Sequence, residues 1–171
     1  VQTTIIDEFR NSLKNLDFME FQAPILVPAQ AESGAEVFSV SYFDHTAYLA
    51  QSPQLYKQIM LGAFEKVFTV THAFRAEPSV TTRHLTEYIS LDAEMAFINS
   101  WEELMDTVEV VIKNIIKSVF SKCSDELKVF KTTAPLIPSQ IPRIKLSEAL
   151  QIVGKRIKQD FPIFQRRING K

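Results

Sequence analysis

KVFTVTHAFRAEPSVTTRHLTEYISLDAEMAFI, residues 66–98, is the stretch that decides the fold. Over residues 67–75, strict alternation sets Thr69, Thr71, Ala73 and Arg75 on one face and Phe68, Val70, His72 and Phe74 on the other, the period of a half-buried strand. A second strand repeats the pattern. Ile89, Leu91, Ala93, Met95 and Phe97 share an apolar face, and Tyr88, Ser90, Asp92 and Glu94 line the opposite one. Residues 77–86 form a polar loop between the strands, with Arg83, His84 and several hydroxyls. A strand face this polar, beside a loop carrying charges of both signs, costs stability unless something binds there.

The residue types say what that ligand would need. Arg75 ends an otherwise uncharged strand and suits planar, bidentate recognition of a carboxylate or phosphate. Arg83 and His84 can reach a second anionic group, Tyr88 can stack on a flat ring, and Asp92 or Glu94 can hold an ammonium. Phosphates, an aromatic base and an amine together are the ligand set of an amino-acid-activating enzyme.

Composition bounds the alternatives. The chain has 171 residues, 46% of them hydrophobic, and a formal net charge of −1, enough for one globular core and no signature of a nucleic-acid groove. Four glycines exclude a glycine-rich phosphate loop. No apolar run reaches membrane-spanning length and no cleavable signal opens the chain. The lone cysteine, Cys123, fits a reducing compartment, so a cytoplasmic location is expected.

Around the central stretch, an amphipathic helix is expected at residues 4–16, with Ile5, Ile6, Phe9, Leu13 and Leu16 on one side, leading into a short strand over residues 17–22 that stops at Ala23-Pro24. Residues 27–37 read as a surface loop, and residues 37–50 as a hairpin turning at Asp44, His45 and Thr46, with His45 serving the turn. Ser52 as N-cap and Pro53 at the first helical position start a helix over residues 54–65. Gln54 and Lys57 share its face near the start, where the lysine opposes the helix dipole. A lone lysine is ordinarily a solvated charge. A long helix follows over residues 99–123, with Ser100 and Glu103 spelling a capping box and Leu104, Val108, Val111, Ile112, Ile115, Ile116 and Val119 as its buried stripe. Residues 124–142 read as a proline-bearing connector, and IPRIKLSEALQIVG, residues 141–154, as a restarting helix. The end of the chain is basic, with Lys155, Arg156, Lys158, Arg166, Arg167 and Lys171.

FRAEPSVTTRHLTEYISLDAEMAF resembles motif 2 of the class II aminoacyl-tRNA synthetases, with Tyr88 where that family usually has Phe. It looks closest to the aspartyl enzymes of the archaeal and eukaryotic cytosolic type. The helix and LDFMEFQAP resemble motif 1, which forms the dimer interface and ends in a proline, here Pro24. AESGAEVF is similar to the mobile loop that closes over the amino acid, with Glu32 at its acidic position, although Ala31 and Ser33-Gly34 depart from the usual neighbours. QSPQLYKQ resembles the aspartate-recognition segment, in which the lysine pairs with the substrate side-chain carboxylate and which in asparaginyl relatives lacks that lysine.

The resemblance implies an α+β fold, the class II catalytic fold: a mixed, mostly antiparallel sheet flanked by helices, spanning residues 1–154 and followed by a basic tail at 155–171. It implies aspartate–tRNA ligation, with L-aspartate, ATP and tRNA(Asp) as partners and a homodimer built through Phe9, Phe21 and Pro24. Arg75 would bind the α-phosphate and the substrate α-carboxylate, Arg83 and His84 the outer phosphates, and Glu77 and Tyr88 the adenosine end. Glu32, Gln54 and Asp92 would surround the ammonium and Lys57 the side-chain carboxylate. Motif 3, the acidic residues that hold Mg²⁺, a second arginine for the aspartate carboxylate and the anticodon-reading barrel are absent from the chain. No metal ligand is therefore assigned within it, and a fragment of a longer synthetase is expected. An asparaginyl-type synthetase and a non-catalytic regulatory or dimerisation paralogue remain the alternatives.

Overall fold

The computed structural model describes residues 1–29, 36–77, 81 and 84–157. In chain order these form α1 (Gln2–Lys14), β1 (Met19–Glu20), β2 (Leu26–Val27), β3 (Ser39–Tyr42), β4 (His45–Leu49), α2 (Gln54–Met60), β5 (Lys66–Phe74), β6 (Glu87–Met95), α3 (Trp101–Lys122), α4 (Ser124–Val129) and α5 (Leu146–Ile157). Two compact units result, Val1–Pro135 and Leu136–Lys171. In the second, α5 runs through position 154, where the sequence places the start of the basic tail. Positions 158–171 lie outside the described residues.

The first unit is built on a three-stranded sheet of order β1-β5-β6. β1 runs parallel to β5, pairing Met19 with Val67, and β6 runs antiparallel to it, from Lys66 opposite Met95 to Phe74 opposite Glu87. This mixed pairing matches the α+β expectation. One face buries Phe68 against Phe9, Leu13 and Phe18 from the α1–β1 segment and Val111 from α3, with Val70, Leu91 and Met95 packed around them. Phe9 meets Phe68 edge to face at 5.8 Å between ring centroids. Burying a side chain such as Phe68 contributes about 1.5–3 kcal/mol, which makes this cluster the main anchor of the sheet. It also turns Phe9 inward, leaving it 7% exposed. Phe21 is half-buried and Pro24 exposed.

α1 ends in a Schellman-type turn. Phe18 N–H donates to Leu13 O at 3.0 Å and Asp17 N–H to Lys14 O at 3.1 Å, with Asp17 in the left-handed region at φ 64°. Asp17 therefore belongs to the helix stop, and the strand expected from residue 17 begins two residues later. Glu20 then reaches back to α1, accepting from Arg10 Nε at 2.8 Å and pairing with Lys14 Nζ at 3.3 Å.

A second sheet of order β2-β4-β3 is antiparallel. Its hairpin turns on Phe43-Asp44, one residue earlier than expected, because Tyr42 pairs with His45 and Phe43 takes φ 53°. His45 opens β4, with Nε2 3.2 Å from the neighbouring Asp44 carboxylate. The sheet is tied to the end of β5 through Phe74 N–H to Ala50 O and Ala76 N–H to Glu36 O.

Several expected boundaries move. α2 stops at Met60, five residues short of the expected end, and turns through Leu61 to Ala63. In a helix of seven residues, Lys57 sits in the last turn, so the dipole argument for it falls. β6 ends at Met95, leaving Phe97 in a positive-φ turn and 82% exposed. Glu103 accepts from the backbone and side-chain nitrogens of Asn99, both at 3.1 Å, in place of Ser100 N–H, so the capping box is displaced by one residue. Residues 124–129 are helical instead of connector.

The stripe of α3 is buried only in part. Val111 and Val119 are enclosed, while Leu104, Val108 and Ile112 are exposed. Lengths explain Leu104 and Val108. Asn114 Nδ2 donates to Ser12 Oγ at 3.2 Å and Thr4 Oγ1 lies 3.2 Å from Cys123 Sγ, so the two helices run antiparallel with α1 against the second half of α3. Thirteen residues of α1 cover about 20 Å of the roughly 33 Å that α3 spans.

Candidate active site on the polar strand face

The β5–β6 register places the polar residues row by row. Val67 lies opposite Glu94, Thr69 opposite Asp92, Thr71 opposite Ser90 and Ala73 opposite Tyr88. The ladder continues one step past β5, where Arg75 N–H donates to Thr86 O at 2.9 Å. Directly opposed residues of an antiparallel pair share a face, so Thr69, Thr71, Arg75, Tyr88, Ser90, Asp92 and Glu94 form one polar surface. The apolar core occupies the other side.

Lys57 defines one end of this surface. α2 packs on β5 and β6, and its fourth residue is carried over the sheet with only 8% of its side chain exposed. Nζ donates to Asp92 Oδ1 at 3.0 Å and lies 3.2 Å from Glu94 Oε2. Ser90 Oγ donates to Asp92 Oδ2, which fixes the carboxylate from its far side. Lys57 is thus a buried ammonium between two carboxylates, and the ordinary solvated reading of a lone lysine does not hold. One cation facing two anions leaves a formal excess of one negative charge, suited to receiving a further ammonium.

Gln54 lies one turn before Lys57, half-buried, with its backbone N–H 3.4 Å from Ser52 Oγ. The helix cap falls on Pro53, one residue after the expected Ser52.

Arg75 and Tyr88 define the other end. The Arg75 guanidinium carbon stands 5.9 Å from the centroid of the Tyr88 ring, a cation–π pairing that keeps a planar cation beside a planar aromatic surface. The Tyr88 row is four residues from the Asp92 row, about 13 Å along the strand. A ligand engaging both ends must therefore be elongated.

In the loop, Glu77 N–H donates to Arg75 O at 2.9 Å, so this residue follows directly on the end of the polar face. His84 is exposed, its Nδ1 2.7 Å from Thr81 Oγ1. Glu32 and Arg83 lie outside the described residues. The alternation thus groups Arg75 with Tyr88 and Asp92 with Glu94, and the fold adds Lys57 to the second pair. Two contributors escape a site assignment from sequence, Ser90 as the clamp on Asp92 and Thr69 across the ladder from it, while Glu94, offered there for an ammonium, gains Lys57 as its partner. Alternation puts them on the right face, yet it carries no information on which side chains α2 will cover.

Among the described residues no helix is long and apolar enough to cross a membrane. Nor do three or more His, Cys, Asp or Glu side chains gather there into a metal site.

The family profile for "tRNA synthetases class II (D, K and N)" matches residues 1–168. The chain belongs to this family. Its relatives include the Aspartate--tRNA(Asp/Asn) ligase of Deinococcus radiodurans, 45% identical over 91% of this chain and 36% of that protein. The cytoplasmic aspartate--tRNA ligase of Caenorhabditis elegans is 45% identical over 82% of this chain and 27% of that protein. Among solved structures, the asparaginyl-tRNA synthetase of Pyrococcus horikoshii, complexed with asparaginyl-adenylate, superposes with a TM-score of 0.83 at 33% identity, covering 90% of this chain and 36% of that one. The aspartyl-tRNA synthetase of Entamoeba histolytica superposes at 0.71 with 32% identity, over 94% of this chain and 30% of that one. The chain thus spans about a third of the length of such relatives, and the fold is that of the class II catalytic domain in part.

Proposed function

We propose that the whole protein carrying this chain is an aspartate–tRNA ligase, which activates L-aspartate with ATP and transfers it to tRNA(Asp) in the cytoplasm as a homodimer. The observation that carries this reading is Lys57, a buried ammonium between Asp92 and Glu94 at one end of a polar strand face. An aspartate substrate brings one ammonium and one side-chain carboxylate to this cluster. Lys57 receives the carboxylate, and Asp92, Glu94, Gln54 and Glu32 surround the ammonium. Asparagine would leave the Lys57 charge without its new partner, a strong basis for discrimination. The aspartate ligases among the relatives support the same choice.

In the first step the substrate α-carboxylate attacks the α-phosphate of ATP, forming aspartyl-adenylate and releasing pyrophosphate. In the second the terminal hydroxyl of the tRNA takes the aspartyl group and AMP leaves. No side chain acts as nucleophile; alignment and charge neutralisation supply the rate. Arg75 bridges the α-carboxylate and α-phosphate, bringing two anions together. Tyr88 stacks on adenine with Glu77 nearby, and Arg83 and His84 hold the outer phosphates. The ligands of Mg²⁺ we place in the rest of the whole protein.

Aminoacylation of tRNA(Asp) with labelled aspartate by the whole protein tests the reading. Charged tRNA is expected. Aspartate binding with no charging and no adenylate would instead favour the regulatory paralogue.

A further inference from the structure

Thr69 is fully enclosed, and its Oγ1 finds no hydrogen-bond partner among the described residues. Enclosing a hydroxyl without a partner costs stability, and a valine would fill the same volume in a strand without that cost. Thr69 stands directly across the ladder from Asp92. Opposed side chains on one face have Cβ atoms about 5 Å apart, within reach of a rotating hydroxyl.

Both oxygens of Asp92 already have donors in this structure, Lys57 at Oδ1 and Ser90 at Oδ2. A substrate carboxylate that draws the Lys57 ammonium toward itself takes the Oδ1 donor away. The carboxylate must then stay charged and oriented to hold the incoming ammonium. We propose that Thr69 is a positioning residue for amino-acid recognition, its hydroxyl donating to Asp92 once Lys57 has moved to the substrate. The inference rests on the aspartate reading given above. It adds that the ligand-free enzyme holds this donor in reserve, at a cost in its own stability.

Thr69→Val and Thr69→Ser in the whole protein separate the outcomes. Thermal unfolding without ligand should show Thr69→Val melting at or above the unsubstituted protein, because it removes an unpaired hydroxyl. With L-aspartate its melting point should rise less, and in ATP–pyrophosphate exchange the KM for aspartate should increase about tenfold, the scale of one hydrogen bond to a charged group. The KM for ATP should stay unchanged, and Thr69→Ser should restore both aspartate responses. A lower ligand-free melting point for Thr69→Val, an unchanged KM for aspartate, or no rescue by serine would overturn the inference while leaving the aspartate reading intact. No aspartate response in the unsubstituted protein would remove both.

Discussion

Replacing Lys57 by alanine leaves Asp92 and Glu94 side by side without the ammonium that lies 3.0 and 3.2 Å from them. Breaking a buried ion pair on one side is costly, so Lys57→Ala should lose about 3 kcal/mol of stability, measured by denaturant unfolding. Its functional signature is separate: the KM for aspartate should rise far more than that for ATP. Equal losses for both substrates would remove Lys57 from side-chain recognition. Arg75→Ala should behave in the opposite way. Its contact with the Tyr88 ring is worth only about 0.5–1 kcal/mol, and the variant should stay folded while adenylate formation is abolished. Retained activity would separate Arg75 from the reacting groups.

The helix–strand turn that leads into the sheet is held by charge as well as by packing. Burial would push the Glu20 carboxyl up, but hydrogen bonds and charge from Arg10 and Lys14 outweigh it and hold the group below its ordinary value of 4.5. A carboxylate depressed on folding adds stability above its unfolded value and loses it as pH falls through the lower folded one. The native protein should therefore lose this contribution as pH drops below about 4.5. Glu20→Gln should be less stable than the native protein at pH 7, with the gap closing in acid, as read from denaturant midpoints across the pH range. A gap that stays constant with pH would mean that the ion pairs add nothing. The strand pair itself was legible as two faces: alternation puts Thr69, Thr71 and Arg75 on one side and Phe68 and Val70 on the other, while the rows Thr69/Asp92, Thr71/Ser90 and Ala73/Tyr88 come from the register of the fold. Its ends were less legible. Asp17 and Phe97 both enter the left-handed region without being glycine, and residue type gives little warning of such turns.

Across the molecule, what sequence conceals is which surfaces other elements will cover. Apolar periodicity marks the face of α3, but the shorter α1 shields only part of it, and Leu104 and Val108 stay open. Lys57 is the converse case, a charge whose local pattern suits solvent and whose position in the fold encloses it. The candidate site was therefore legible as a face and as a family motif, whereas the ion cluster on that face required the packing of α2 against the sheet. The chain covers 36% of its Deinococcus relative, so the test of function belongs to the whole protein. ATP–pyrophosphate exchange measured with aspartate and with asparagine addresses the central claim, that a buried lysine on the polar strand face selects the substrate. Exchange with aspartate at least about a hundredfold more efficient than with asparagine is the expected result. Exchange driven equally well by asparagine would contradict it.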